Sequence, residues 1–364
     1  MANHSSTHSK WVEVDLNELQ ANARSIRKEL GPGVKFLAAV KSNAYGHGLE
    51  AIVRRLASEN LCDAFGIWSA TEAKRVLGIA PVKPIQAALL APALDHPADL
   101  APLVRRGAWL TLDREELMRS YTQAARLAKK KARIFVDLDL GLGRWGAKPK
   151  NAITLVRSML KRPDLEMIGI ATHIDYLPGL NKTEAEIKLG HFLQAAKEIE
   201  AMVKRPLIKT CANTSVFLDF PAWRLDMARI GNLLYGVNPT PTPFPVKNIW
   251  SFKAKILSVQ SLRRGETVGY GSEFLALNPM KVASVACGFA DGLTMEPAHR
   301  FIRLTSPSRY WAKWQDKELP IVGRVGLGHA LLDISKAPNI KSGDTVELPV
   351  RRTAASMDVP RLYR

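Results

Sequence analysis

Cysteine is scarce in this chain: Cys62, Cys211 and Cys287 are odd in number and far apart along 364 residues. Such usage excludes a disulfide framework and a cysteine metal cluster, and it predicts a cytoplasmic protein. Long apolar runs are also missing. No stretch approaches the ~20 continuous apolar residues of a membrane span. The polar start Met1–Lys10 lacks the apolar centre of a secretory signal. Residues 1–10 are expected to form a disordered tail, and no membrane partner is expected.

Acidic residues are in deficit, with 34 against 52 basic side chains and a net charge of +18. A basic excess raises the question of nucleic acid. Yet the basic residues are dispersed, apart from Lys129-Lys130-Lys131 and Arg351-Arg352. Neither cluster is interleaved with aromatic rings as a single-strand binder would be. The charge therefore reads as a surface that favours small anionic ligands, with no nucleic-acid partner.

Short apolar runs alternate with helical patterns over the first two-thirds of the chain. Leu16, Leu19, Ala23 and Ile26 recur on one face of a helix that Gly31-Pro32-Gly33 stops. Eight strand candidates follow: Phe36–Val40, Ala64–Trp68, Pro84–Leu90, Trp109–Leu112, Ile134–Leu140, Met167–Thr172, Leu207–Cys211 and Leu225–Ile230. Helical segments such as Glu115–Lys130, Asn151–Leu160 and Glu184–Lys204 separate them. This alternation predicts an α/β fold, a (β/α)8 TIM-like barrel over residues 11–240. Prolines at every second position from Pro239 to Pro245 make an extended linker. Short, turn-punctuated strands beyond it predict an all-β C-terminal domain over 241–364.

The segment Val40-Lys41-Ser42-Asn43-Ala44-Tyr45-Gly46-His47-Gly48 is the most informative part of the chain. A lysine at the end of a buried strand has an apolar wall behind it. Burial disfavours the ammonium and leaves a nucleophilic amine able to form a Schiff base with an aldehyde. Tyr45 follows in a loop whose glycines let backbone crowd a ligand. In a barrel of this kind, functional residues sit where strands end. Polar residues fall at those ends: Arg144 after the fifth strand, His173 at the sixth, Asn213-Thr214-Ser215 after the seventh, and Arg229-Ile230-Gly231-Asn232 at the eighth.

This string and the order of these residues closely resemble alanine racemases, whose lysine carries pyridoxal 5'-phosphate (PLP). The resemblance runs from about Val12 to the C-terminus and implies a barrel followed by a β domain. It implies an isomerase that interconverts L- and D-alanine with two bases and supplies D-alanine for peptidoglycan. Lys41 would hold the cofactor and act as one base. Arg229 matches the arginine that faces the pyridine nitrogen. It can only donate a hydrogen bond, which keeps the ring a weak electron sink and favours proton exchange. His173 resembles the histidine behind that arginine. Thr214, Gly231 and Asn232, with neighbouring Asn213, match phosphate-binding positions, and Tyr45 a further phosphate contact. Arg144 matches the arginine that touches the phenolate side and steers the substrate carboxylate, and Leu327 falls in a substrate-side motif. Tyr270, in Gly265-Glu266-Thr267-Val268-Gly269-Tyr270-Gly271, matches the second base. In the family this tyrosine reaches a partner's site, which implies a head-to-tail homodimer.

The chain also departs from the family. Asp137 stands where many alanine racemases carry a carbamylated lysine, so the expectation is that Asp137 holds Arg144 directly. Phe289 replaces a tyrosine at the substrate entrance, Gly328 lies in an altered motif, and Met357 replaces a phosphate-contacting tyrosine. The stretch Pro297–Lys317 is long, basic and aromatic. These changes keep three alternatives open: a racemase of serine, lysine or a broader set of amino acids; a related PLP decarboxylase; and a non-catalytic PLP carrier. A metal is not expected.

Overall fold

A computed structural model describes residues 7–79, 86–294 and 311–364. The chain divides into two compact units, Leu16–Asn248 and a second that joins the N-terminal segment through Asp15 to Ile249–Arg364. The boundaries expected from sequence, 11–240 and 241–364, therefore shift. Strand β1 (Lys10–Val14) pairs antiparallel with β10 (Trp250–Leu262) and belongs to the β unit, not the barrel. Residues 1–6 of the expected tail lie outside the described residues, and Lys10 is already in a strand.

In the first unit, eight parallel strands run β2 (Lys35–Ala39), β3 (Ala64–Ile67), β4 (Gln86–Pro92), β5 (Trp109–Leu112), β6 (Ala132–Leu138), β7 (Leu165–Thr172), β8 (Ile208–Thr210) and β9 (Met227–Ile230). Each coincides with one of the strand candidates, although residues 84–85 lie outside the described set. The order β8-β7-β6-β5-β4-β3-β2-β9 nearly closes a cylinder. Its seam is bridged by the Asp226 N–H to the Lys209 carbonyl (3.2 Å) and the Arg229 N–H to the Ala212 carbonyl (2.9 Å).

Buried parallel strands are apolar on both faces because helices cover the outside and side chains fill the inside. Leu37, Trp109, Phe135, Ile168 and Met227 form part of that inner core. Burying each large side chain contributes roughly 1.5–3 kcal/mol. Outside, the helix Leu16–Leu30 buries Leu19, Ala23, Ile26 and Leu30 at helical spacing. Buried Asn22 on the same helix ties down the linker: its Nδ2 donates to the Lys247 carbonyl (2.9 Å) and its Oδ1 accepts the Lys247 N–H (3.0 Å).

In the second unit, β10 is the spine. It pairs with β1 and with β17 (Thr345–Leu348), and with β13 (Met280–Val285) after a bulge between Ile256 and Ser258. Strands β14 (Trp311–Trp314), β15 (Lys317–Val322) and β16 (Ala330–Asp333) link β17 back to β13, and β18 (Arg361–Tyr363) lies parallel to β1. A separate two-strand hairpin, β11 (Thr267–Val268) and β12 (Phe274–Leu275), carries Tyr270 in its connection. Of the Pro297–Lys317 stretch, only 311–317 lies within the described residues, where Trp311 and Trp314 are strand residues.

Candidate active site

Strand β2 ends at Ala39, and Lys41 opens an unusual turn. Ser42, Asn43, Ala44 and Tyr45 all have positive φ, between 53° and 55°. Left-handed backbone costs ordinary residues roughly 1–2 kcal/mol each, so the surroundings must impose it. They do so with a set of hydrogen bonds. Asn43 N–H donates to Glu72 Oε1 (3.1 Å), and Asn43 Oδ1 accepts the Leu49 N–H (2.9 Å). Buried His47 places Nδ1 2.7 Å from the Ala44 carbonyl and stacks on Tyr235 at 4.4 Å. Tyr235 in turn donates its hydroxyl to the Ala39 carbonyl at 2.8 Å. The turn thus fixes Lys41 and Tyr45 against one wall of the barrel.

All nine barrel residues expected from sequence line one cavity of ≈ 260 Å³ at the strand ends: Lys41, Tyr45, Arg144, His173, Asn213, Thr214, Arg229, Gly231 and Asn232. Trp68, Leu90, Ala39 and Ser215 complete it. The lining holds three cations and no carboxylate. An anion is the ligand such a cavity complements.

The cations also set each other's protonation. Burial, then Arg144 and Arg229, lower the Lys41 pKa to about 8, against a smaller upward pull from Glu72. Burial followed by Arg229, Arg144 and Lys41 pushes His173 down to about 3, so its imidazole is neutral at working pH. Arg229 is held by donating Nη2 to the Thr172 carbonyl. His173, expected to back the arginine, lines the same cavity and feels the Arg229 charge, while among the described residues the hydrogen-bond acceptor of Arg229 is the Thr172 carbonyl.

Beside the Lys41 turn, where β9 pairs with β2, Gly231 permits close approach. A Cβ there would clash with the Tyr45 phenol oxygen. Thr214 is buried, and its Oγ1 accepts the Gly231 N–H at 3.3 Å. Asn213 is occupied in shaping the loop: Oδ1 accepts the Val216 N–H (3.1 Å) and Nδ2 donates to the Ile174 carbonyl (3.0 Å). The Thr214 hydroxyl, the Gly231 backbone and the Tyr45 phenol are thereby packed together in the lining of the cavity.

Asp137 does not meet Arg144 as the sequence suggested. No ion pair joins them among the described residues; Asp137 Oδ2 instead accepts the Trp145 indole N–H at 2.9 Å. The substitution of a short aspartate stem for a long lysine explains the difference in reach. Burial raises the Asp137 pKa to about 6, opposed by Arg229, the Trp145 bond and Arg144.

Tyr270 and Leu327 belong to the β unit. Tyr270 is 60 % exposed, 6.1 Å from the His329 ring, and Leu327 is 72 % exposed. Phe289 and Leu327 sit on adjoining loops, joined by the Phe289 N–H to Gly326 carbonyl and Ala290 N–H to Leu327 carbonyl bonds, both 2.9 Å. Met357 and Phe289 are exposed as well, and Gly328 has open space around it. Sequence reasoning missed Trp68, Glu72 and Thr172, and the use made of Trp145. The position of Trp145 directly after Arg144 was the one available signal.

No group of metal-ligating side chains occurs among the described residues, and no helix among them is long and apolar enough to cross a membrane. All three cysteines are free.

The chain matches the family described as "Alanine racemase, N-terminal domain" over residues 14–239 and "Alanine racemase, C-terminal domain" over 249–362. It is 28% identical over 346 residues to the alanine racemase of Syntrophobacter fumaroxidans, covering 93% of this chain and 87% of that one. Among solved structures, alanine racemase of Clostridium difficile 630 superposes with a TM-score of 0.86 at 21% identity, covering 98% of this chain and 96% of that one. Alanine racemase of Bartonella henselae, solved with covalently bound pyridoxal phosphate, gives a TM-score of 0.80 at 22% identity, covering 98% of this chain and 100% of that one.

Proposed function

The chain belongs to the alanine racemase family, and on that premise we propose that it interconverts L- and D-alanine with PLP held at Lys41. The observation that carries this reading is the cavity itself: a strand-end lysine with a pKa near 8, sharing its lining with two arginines, with Tyr45, Thr214 and Gly231, and with no carboxylate. The residues present fit the cofactor. Lys41 offers an amine for the aldehyde, Tyr45, Thr214, Gly231 and Asn232 suit its phosphate, and Arg229 suits its ring nitrogen. When bound, PLP supplies an electron sink that loosens the substrate Cα–H bond.

The protein's own groups do the rest. Arg229 stays protonated and can only donate, so it keeps the ring a weak sink and directs chemistry to proton exchange. Arg144 binds the substrate carboxylate and so orients Cα. Lys41 would carry a proton at Nζ to and from one face of the substrate Cα. A second base must serve the other face, and the reading assigns this to Tyr270. Tyr270 with Phe289, Leu327 and Met357 is exposed on the β unit, which suits a head-to-tail homodimer in which a second copy supplies it. A small-molecule amino acid is the substrate, and supply of D-alanine for peptidoglycan is the proposed role.

The test is substrate-dependent exchange of the α-proton for solvent deuterium across a panel of amino acids. Exchange is expected to be fastest with alanine. Faster exchange with another amino acid would move the substrate, release of carbon dioxide would make the protein a decarboxylase, and PLP binding without exchange would make it a carrier.

A further inference from the structure

Arg144 is held in a way the family resemblance does not supply. Among the described residues it has no carboxylate partner. Its guanidinium carbon instead lies 3.8 Å over the Trp145 ring. Trp145 is fixed in turn: its indole N–H donates to Asp137 Oδ2 at 2.9 Å, and its ring meets Trp68 edge-on, 5.1 Å between centroids at 71°.

The loop that carries both residues is pinned to β6. The Ala147 N–H donates to the Asp137 carbonyl (2.8 Å) and the Asp139 N–H to the Ala147 carbonyl (3.0 Å). Asp139 Oδ1 accepts the Gly141 and Gly143 N–H groups at 2.9 and 3.0 Å. Gly146, at φ 110°, presses so close to the Asp139 backbone that a Cβ would not fit. Trp145 therefore stands on a stiff loop and not on a mobile one.

A guanidinium supported by an acid spends its in-plane N–H donors on that acid. One supported through its face by an indole keeps those donors for another partner. We propose that Trp145 is the positioning residue for Arg144: Asp137 orients the indole, the indole face orients the guanidinium, and the free N–H edge receives the substrate carboxylate. The chain thereby replaces a carboxylate-to-arginine contact by a carboxylate–indole–arginine stack. Trp68 buttresses the stack and touches the second cation, with Lys41 Nζ 4.4 Å from its ring centroid. This rests on the proposed function in one respect, that the ligand of Arg144 is the carboxylate of an amino acid.

The experiment uses propionate, which is alanine without its amine, and measures its binding to PLP-loaded protein by calorimetry. This readout does not need turnover. The Trp145→Leu variant is expected to bind propionate at least tenfold more weakly while keeping wild-type PLP affinity and thermal midpoint. In turnover, KM for alanine should rise by a similar factor with kcat much less affected. Trp145→Phe keeps a ring and loses the bond to Asp137, so it should fall between wild type and Trp145→Leu. It also serves if the leucine variant does not fold. Wild-type propionate affinity in both variants would overturn the proposal. So would a loss that tracks PLP release or unfolding, since that is what a merely structural tryptophan would show. Wild-type protein that binds propionate in a Trp145-dependent manner but exchanges no α-proton would overturn the functional reading and leave the stack standing.

Discussion

At the strand ends of the barrel, Lys41, Arg144 and Arg229 are partly or wholly buried, and each is set by named neighbours: a left-handed turn, an indole face and a backbone carbonyl. In the β unit, Tyr270, Phe289, Leu327 and Met357 are exposed between 60 and 72 %, and the Tyr270 ring lies 6.1 Å from that of His329. One region is built to hold groups in place within a single chain. The other presents apolar and phenolic side chains that are largely exposed. The contrast teaches that burial and hydrogen bonding shape the barrel side within one chain, whereas Tyr270, if it is the second base as proposed, would acquire its environment only on assembly.

The comparison can be broken most sharply at the two proposed bases. Lys41→Ala should abolish α-proton exchange, a loss of about 10⁴-fold or more, together with covalent capture of PLP; exchange that survives would remove Lys41 from its role. Tyr270→Phe should keep PLP binding and lose roughly 10²–10⁴ in racemisation. Racemisation at the wild-type rate would place the second base elsewhere.

Smaller effects sharpen the barrel side. Gly231→Ala forces a methyl against the Tyr45 phenol, so PLP affinity in equilibrium titration should fall at least tenfold, or about 1.4 kcal/mol. Capture of PLP by the apo-protein follows the amine fraction of Lys41. With a pKa lowered to about 8, the stopped-flow rate should rise about tenfold from pH 6 to 7 and level off above about 8. A rate still climbing tenfold per unit at pH 9 would show an ordinary lysine.

The smallest effect concerns Asp137, whose folded pKa is raised from 3.8 to about 6. The native state then binds this proton more tightly than the unfolded chain. Stability from the group is complete below its unfolded value and is lost as pH rises through about 6. Asp137→Asn cannot ionise, so its thermal midpoint relative to wild type should move up by a few degrees between pH 4 and pH 7. A constant difference would mean that Asp137 does not titrate there.

Much of the barrel was legible because buried parallel strands are short apolar runs between helical patterns, and the polar residues at their ends are few. The pairing of β1 was not legible. Trp11–Val14 joins β10 some 240 residues later, and no local periodicity encodes that contact. The turn Ser42–Tyr45 was hidden for a different reason. Four non-glycine residues adopt left-handed backbone against their own preference, imposed by Asn43, His47 and Glu72 through contacts that only the fold assembles. Asp137 was expected to hold Arg144 directly, and the Trp145 indole that takes its carboxylate instead could not be read from the order of residues along the chain. Tyr270 was legible only by its resemblance to a family motif, since a tyrosine between turn glycines has no distinguishing chemistry of its own.

The most direct test of the account mixes two inactive chains. In a head-to-tail dimer of Lys41→Ala and Tyr270→Phe subunits, one site combines wild-type Lys41 with wild-type Tyr270 and the other carries both substitutions. Random reassortment makes half the dimers mixed with one intact site each, so the mixture should recover about a quarter of wild-type racemisation. A mixture no more active than the average of the two separate variants would contradict the claim that a second copy completes the barrel's half-site.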